Sequence, residues 1–319
     1  MTKYLSQLAL VVFITAANAQ SYPSKPIHLI VPFPPGGPTD IVGRLVAQKI
    51  SEGIGQPVVV ENRPGAGGTV GSSAAAKAAP DGYTLLYGST STLAIAPSLY
   101  RNIAYDPRKA FAPISLVSSG PILITVNEKV PARTLKEFID LAKKQPGKLS
   151  YSSGGNGTPP HLAGELFKVI AGVDLLHVPY KGGGPAITDL AGGQVQAVFE
   201  GQVALMPHLQ SGRARALAIT GPKRSPALPD VPTVAEAGLP KYDANFWSGV
   251  VAPAGTPADT ITRLNGVLVK ALATPEVRDT LTKQGLEPAG NTPQQFAAHI
   301  AAEVEKWAAV VKTSGAKID

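Results

Sequence analysis

The chain has 319 residues, with 29 basic and 22 acidic side chains for a formal net charge of +7, five histidines and no cysteine. The lack of cysteine excludes disulfides, thiol nucleophiles and thiolate metal sites, so the core must hold by packing alone. The lysines and arginines are dispersed, with no basic run interleaved with aromatics, which excludes the usual nucleic-acid footprint, and the length favours two domains over one core.

In chain order, Lys3, an apolar run over residues 8–14 and the small-residue site Ala17-Asn18-Ala19 before Gln20 form a secretory signal peptide, residues 1–19. Its apolar stretch is shorter than the roughly 20 residues a membrane span needs, so an exported soluble protein is expected. Lys3 is the only charged residue of that leader, and its removal leaves a charge of +6. β-rich apolar runs predict strands at 27–31, 58–61, 84–87, 122–126, 149–152, 175–178, 195–199, 216–219 and 247–251. Helical patterns lie between them, an alternation that argues for parallel α/β sheets. Thr39 or Asp40 is expected to cap the first helix. Thr134-Leu135-Lys136-Glu137 reads as a capping box, and threonines before Pro257, Pro275 and Pro293 read as N-caps. The last helix places Phe296, Ile300, Trp307 and Val310 on one buried stripe. With no linker-like tract in view, two strand crossings at 113–126 and 244–253 would divide the chain into lobes.

The chemistry legible in this pattern is anion binding. Gly36 and Gly37 precede a helix N-terminus, whose unpaired N–H groups and dipole favour negative charge. Ser153-Gly154-Gly155-Asn156-Gly157-Thr158 repeats the arrangement before Pro159-Pro160-His161, as if two lobes face each other. No Gly-x-Ser-x-Gly elbow occurs. A hydrolase would have to pair His161 with Ser152 or Ser153. The five histidines show no metal-ligand spacing, so no metal site is expected. Gly65-Ala66-Gly67-Gly68-Thr69-Val70-Gly71 only approximates a dinucleotide fingerprint: Pro80 ends its helix early and no ribose-binding acid follows. No cofactor is expected.

Six segments together resemble one family: Pro32-Phe33-Pro34-Pro35-Gly36-Gly37-Pro38-Thr39-Asp40, Glu61-Asn62-Arg63-Pro64-Gly65-Ala66-Gly67-Gly68, Ala79-Pro80-Asp81-Gly82-Tyr83-Thr84, residues 154–159, His177-Val178-Pro179-Tyr180-Lys181-Gly182 and Leu228-Pro229-Asp230-Val231-Pro232-Thr233. In this order they resemble the Bug-type receptors of tripartite tricarboxylate transporters. The resemblance implies an α/β type II periplasmic-binding-protein fold: lobe 1 at 20–122 plus 247–319, lobe 2 at 123–246, with a ligand cleft between. It implies a periplasmic, non-enzymatic receptor that closes on a small carboxylate and passes it to inner-membrane permease subunits. A sensor-kinase ectodomain is the alternative partner. Ligand contacts are expected from Phe33, Pro35, Gly36, Gly37, Thr39 and Asp40, with Ala66, Gly67, Ser89 and Thr90 on the same edge. The opposed loops would supply Ser153, Gly154, Asn156, Gly157, Thr158, His161, Tyr180, Lys181 and Gly182. Glu200 ends an apolar strand and should face the cleft, where it would attract a cationic group, oppose a third carboxylate, or fold onto a backbone N–H.

Overall fold

Four of the five residues in the first strand are buried, and such a run needs cover on both faces of its sheet. The computed structural model describes residues 22–316, so the leader lies outside the described residues. Its strands are β1 (Ile27–Val31), β2 (Val58–Asn62), β3 (Thr84–Ser89), β4 (Phe111–Asn127), β5 (Ser150–Ser153), β6 (Leu176–Pro179), β7 (Ala197–Gly201), β8 (Ala214–Ile219), β9 (Asn245–Pro253) and β10 (Glu287–Pro288). They hydrogen-bond in the order β2-β1-β3-β9-β4-β7-β5-β6, with β8 and β10 also on β4. The expectation of parallel sheets holds only within each half: β2, β1 and β3 are parallel, as are β6, β5 and β7, while β4 and β9 between them pair antiparallel.

The 17-residue β4 belongs to both halves. Its pairing with β9 ends at Pro121 opposite Asn245, and its pairing with β7 begins at Ile122 opposite Gly201. Pro121 has no N–H to give a ladder, so the partner changes where the backbone can least sustain the old one. The crossings expected at 113–126 and 244–253 fall on β4 and β9.

The helices are α1 (Pro38–Ile54), α2 (Thr69–Ala76), α3 (Ala96–Leu99), α4 (Pro107–Ala110), α5 (Leu135–Lys144), α6 (Pro159–Ala171), α7 (Gly183–Gly192), α8 (Gln202–Gln210), α9 (Ala258–Leu272), α10 (Pro275–Lys283) and α11 (Pro293–Ser314). Thr274 and Thr292 stand at the N-cap positions of α10 and α11 ahead of their prolines, but only Thr292 caps with its side chain, in a full capping box with Gln295, while the Thr274 hydroxyl goes to the Ala271 carbonyl. The remaining caps differ from expectation. Pro257 itself is the N-cap of α9, because Thr256 turns its hydroxyl to the Pro253 carbonyl. Thr134 caps α5, but Glu137 reaches one residue further back, to the Arg133 N–H, leaving half of the expected box.

One apolar cluster runs through both halves, from Ile30 and Leu86 to Phe138, Tyr151 and Phe199, joined at Trp247, Phe296 and Trp307. The expected stripe of α11 is buried there, and α11 packs on α6. The polar centre of the seam is Glu303, 7% exposed, which accepts from the indole N–H groups of Trp247 at 2.8 Å and Trp307 at 3.0 Å. Lys306 pairs with Glu303 and, at 3.0 Å, with Asp243. Glu303→Ala would leave two buried indole donors unpaired. The expected cost is about 2–5 kcal/mol of unfolding free energy by urea titration. A variant as stable as the parent would show that these bonds do not hold the seam.

Candidate functional site

The loops with the candidate residues follow the C-terminal ends of β1, β2, β3, β5, β6 and β7, the edge at which open α/β sheets bind ligands. Strand register places two of these ends against each other. Ser89, the last residue of β3, is level with Ser248 and through it with Ser118 on β4, while Gly201, the last of β7, is level with Ile122. β3 and β7 run in opposite senses along β4, so their C-terminal ends converge on its middle, separated by about 13 Å of extended strand.

On the first side, α1 begins two or three residues earlier than expected. Gly37 is its N-cap and Pro38 its first residue, so neither Thr39 nor Asp40 caps it. Asp40, 2% exposed, instead braces the loop from inside. It accepts from the Gly36 N–H (2.9 Å), Arg44 Nε (2.9 Å) and Asn62 Nδ2 (2.8 Å), and Asn62 Nδ2 also reaches the Phe33 carbonyl (3.0 Å). The Arg44 hydrogen bond, with those from Gly36 and Asn62, outweighs burial and holds the Asp40 carboxyl down at about 2. Gly36 sits at φ +81°, a conformation closed to most side chains, and its amide points to Asp40. Gly37 has ordinary φ and only the Pro34 carbonyl within 4 Å of where a Cβ would stand. Phe33 is half-buried and Pro35 exposed beside them; Thr39, half-buried, is the first residue of α1 with an N–H.

Ala66 and Gly67 are exposed in left-handed turns beyond β2, Gly67 over the Tyr100 hydroxyl. Ser89 gives its N–H to Thr92, and its buried hydroxyl has no partner among the described residues. Thr90 is buried and grips β9, accepting from the Trp247 N–H at 2.9 Å and donating to its carbonyl at 3.2 Å. A widened π turn at Ser91–Ile95 follows, an irregularity common at functional sites.

On the second side, Thr158 is the N-cap of α6 and both Pro159 and Pro160 lack an N–H, so the helix offers its first amide only at His161. The loop is stitched internally. Gly155 O accepts from Thr158 Oγ1 (2.7 Å), Gly155 N–H donates to Ser153 Oγ (3.2 Å), and Gly182 N–H donates to Gly154 O (3.1 Å). Gly157, at φ +78°, donates its N–H to His161 Nδ1 at 3.1 Å. Asn156 and Lys181 are exposed, and the Tyr180 hydroxyl turns away to Asp189 on α7. The Ser–His pairing considered for a hydrolase is absent in the expected form: His161 holds Gly157, Ser152 Oγ donates to the Ala186 carbonyl, and Ser153 meets His177 Nε2 at 2.7 Å. Sequence reasoning passed over His177, Asn62 and Arg44 as site residues, although the first two lie inside quoted motifs.

Glu200, half-buried near the end of β7, folds onto the Gly201 N–H at 2.8 Å. Its other oxygen lies at Gly183, the first residue of α7, and no cation pairs with it among the described residues. Burial therefore pushes its carboxyl up to about 7, only partly offset by the Gly201 bond. Among the described residues no group of three or more His, Asp and Glu could hold a metal ion, and no helix is long and apolar enough to cross a membrane.

The two carboxylates give opposite pH signatures. Asp40, lowered from 3.8, adds stability above pH 4 that is lost as pH falls towards 2. Glu200, raised from 4.5, holds a proton that the unfolded chain releases, so stability falls as pH rises from 4.5 through 7. Glu200→Gln is expected to be more stable than the parent by about 1–3 kcal/mol at pH 8, with the gap closing near pH 4.5, in parallel urea titrations. A gap that does not change with pH would refute the assignment.

Residues 42–316 match the family described as "Tripartite tricarboxylate transporter family receptor". Protein BugT of Bordetella pertussis is 41% identical over 325 residues, covering 100% of this chain and 99% of its own. A solved R. palustris protein with adipate is 38% identical, with a TM-score of 0.80 over 93% of this chain and 100% of its own. MatC from Rhodopseudomonas palustris, solved with bound malate, is 35% identical, with a TM-score of 0.77 over 91% and 100%.

Proposed function

The chain belongs to the family of tripartite tricarboxylate transporter receptors, solute-binding proteins and not enzymes, and on that premise we propose that it captures a small carboxylate in the periplasm. The lobes, 20–122 plus 247–319 and 123–246, close on the acid, and the closed receptor delivers it to inner-membrane permease subunits. The observation that carries this reading is the register on β4, which brings the loop-bearing ends of β3 and β7 towards each other. Adipate and malate, named for two similar structures, are both dicarboxylates; a four- to six-carbon diacid is the class we propose. A carboxylate at these loops would meet backbone donors and small hydroxyls, which exchange its hydration for fixed dipoles in a site that excludes water. Closure would give tight binding only when both sets of loops engage.

Native mass spectrometry of protein taken from the periplasm without refolding tests this directly. The expected result is one intact small carboxylic acid per chain, released on denaturation. Protein that carries nothing, with no thermal shift from adipate, malate or other diacids, would overturn the reading.

Gly37→Val probes the cradle without straining the fold, because Gly37 has ordinary φ and space around its Cβ position. Its melting temperature should stay within a few degrees of the parent, while affinity for the co-purified acid, measured by calorimetry, falls at least tenfold. Unchanged affinity would remove loop 33–37 from the site.

A further inference from the structure

Beneath loop 153–158 lies a stack of imidazoles that the proposed function does not use. His161 on α6, 5% exposed, stacks on His177 of β6 with ring centroids 4.1 Å and planes 22° apart, and Tyr151 on β5 also stacks on His177 at 4.8 Å. Each imidazole bonds one end of the loop: His161 Nδ1 accepts from the Gly157 N–H, and His177 Nε2 meets Ser153 Oγ. Ser153 Oγ in turn accepts from the Gly155 N–H. Among the described residues no hydrogen bond fixes Asn156, between the tethers.

We infer that His161 and His177 are positioning residues, a stacked pair of neutral imidazoles that holds loop 153–158 in its binding shape, and that protonation of His161 releases the Gly157 end. The inference rests on reading that loop as a carboxylate contact. An N–H pointing at Nδ1 requires a lone pair there, so His161 is neutral with its proton on Nε2. A second proton would set N–H against N–H and drive Gly157 away. The stacking adds a like-charge penalty, since two imidazolium rings 4.1 Å apart repel. Around the pair, Glu165 and Lys168 face it from α6 and Tyr151 from β5, with Glu165 already engaged by the Tyr151 hydroxyl at 2.7 Å and Lys168 at 3.1 Å. Burial opposes the charged form of His161 and, with Lys168, outweighs Glu165, which favours it, so the ring is held below the usual imidazole range. Burial, with the His161 and Lys168 charges, pushes His177 down to about 3. Both tethers are therefore intact at neutral pH; acid breaks the one at Gly157, whereas a protonated His177 can still donate to the Ser153 hydroxyl, whose own proton reaches the Gly155 carbonyl.

The test uses the mature ligand-free protein, amide hydrogen exchange at Gly155 and Gly157, and nitrogen-15 shifts of the histidine rings from pH 8 to 4.5. Adipate and malate affinities follow by calorimetry over the same range. In the parent, His161 Nδ1 should carry no proton at pH 7.5, and the Gly157 amide should be protected until the ring titrates. His161→Leu should lose at least tenfold of that protection and of affinity at every pH. His161→Asn keeps an acceptor on a short side chain but cannot titrate, so it should restore most of the protection and flatten the acid dependence. His177→Phe keeps the stack and should loosen Gly155 alone. A protonated Nδ1, or leucine and asparagine variants that behave alike, would overturn the inference. If the parent binds neither acid, the dicarboxylate assignment fails, while exchange at Gly157 still decides the tether.

Discussion

The continuity of β4 is the constraint on which the rest of the structure depends. A parallel sheet has its loop-bearing edge at one end only, and two such sheets face a common ligand only if they approach one strand from opposite senses. β4 supplies this by pairing antiparallel with β9 on one side of Pro121 and with β7 on the other. The ends of β3 and β7 then fall at Ser118 and Ile122, and loops far apart in sequence are carried to the middle of the same strand. α11 reinforces the join from behind, where Trp247, Trp307 and Lys306 converge on Glu303. Thr90 ties the rear of the site to this seam through both backbone groups of Trp247.

The binding site proposed for these loops, built largely from backbone, has a problem that one built from arginines lacks, because its donors are also needed to hold its loops. Here side chains divide the work. Asp40 takes the Gly36 amide and His161 takes the Gly157 amide, so the two glycines with left-handed backbone serve as fixed corners. The prolines at the starts of α1 and α6 cannot donate at all. In the proposed site, what would remain for a carboxylate is a smaller set than helix geometry alone suggests: amides next to the corners, and hydroxyls such as that of Ser89, buried without a partner among the described residues. Rigid corners reduce the ordering cost of binding, which favours affinity without additional contacts.

Most strands were legible from local composition, since apolar β-branched runs such as 27–31 and 195–199 need no distant partner to be recognised. The length of β4 was not. Pro113, Gly120 and Pro121 interrupt its pattern, and only pairing with β7, β8 and β9 defines it as one strand. The helix starts show the same division. Thr292 before Pro293 caps α11 as its local chemistry dictates, whereas the start of α1 is decided by Asp40 bonding to Gly36 and to Asn62, 22 residues away. His177 lies within a motif that resembles the family's, yet its bond to Ser153 exists only because β5 and β6 pair in parallel. Side chains that act through another residue carry no sequence period or spacing of their own.

Asp40 and Glu200 illustrate why charge in the cleft cannot be counted from residue types. Asp40 is the more deeply buried, yet it stays ionised because Arg44, Gly36 and Asn62 all donate to it, and its charge is neutralised inside the loop. Glu200 has one backbone donor and no cation, so near neutrality it is divided between an acid that can donate a hydrogen bond and an anion that repels one. For a dianionic diacid the first form is compatible and the second is not. Above pH 7 the ionised Glu200 would oppose a ligand carboxylate at α7, whereas below it the protonated group would complement one. In the proposed site, the sign of the charge that a diacid would meet beside α7 follows from desolvation of a single carboxyl, and a glutamine there would fix it in the neutral state.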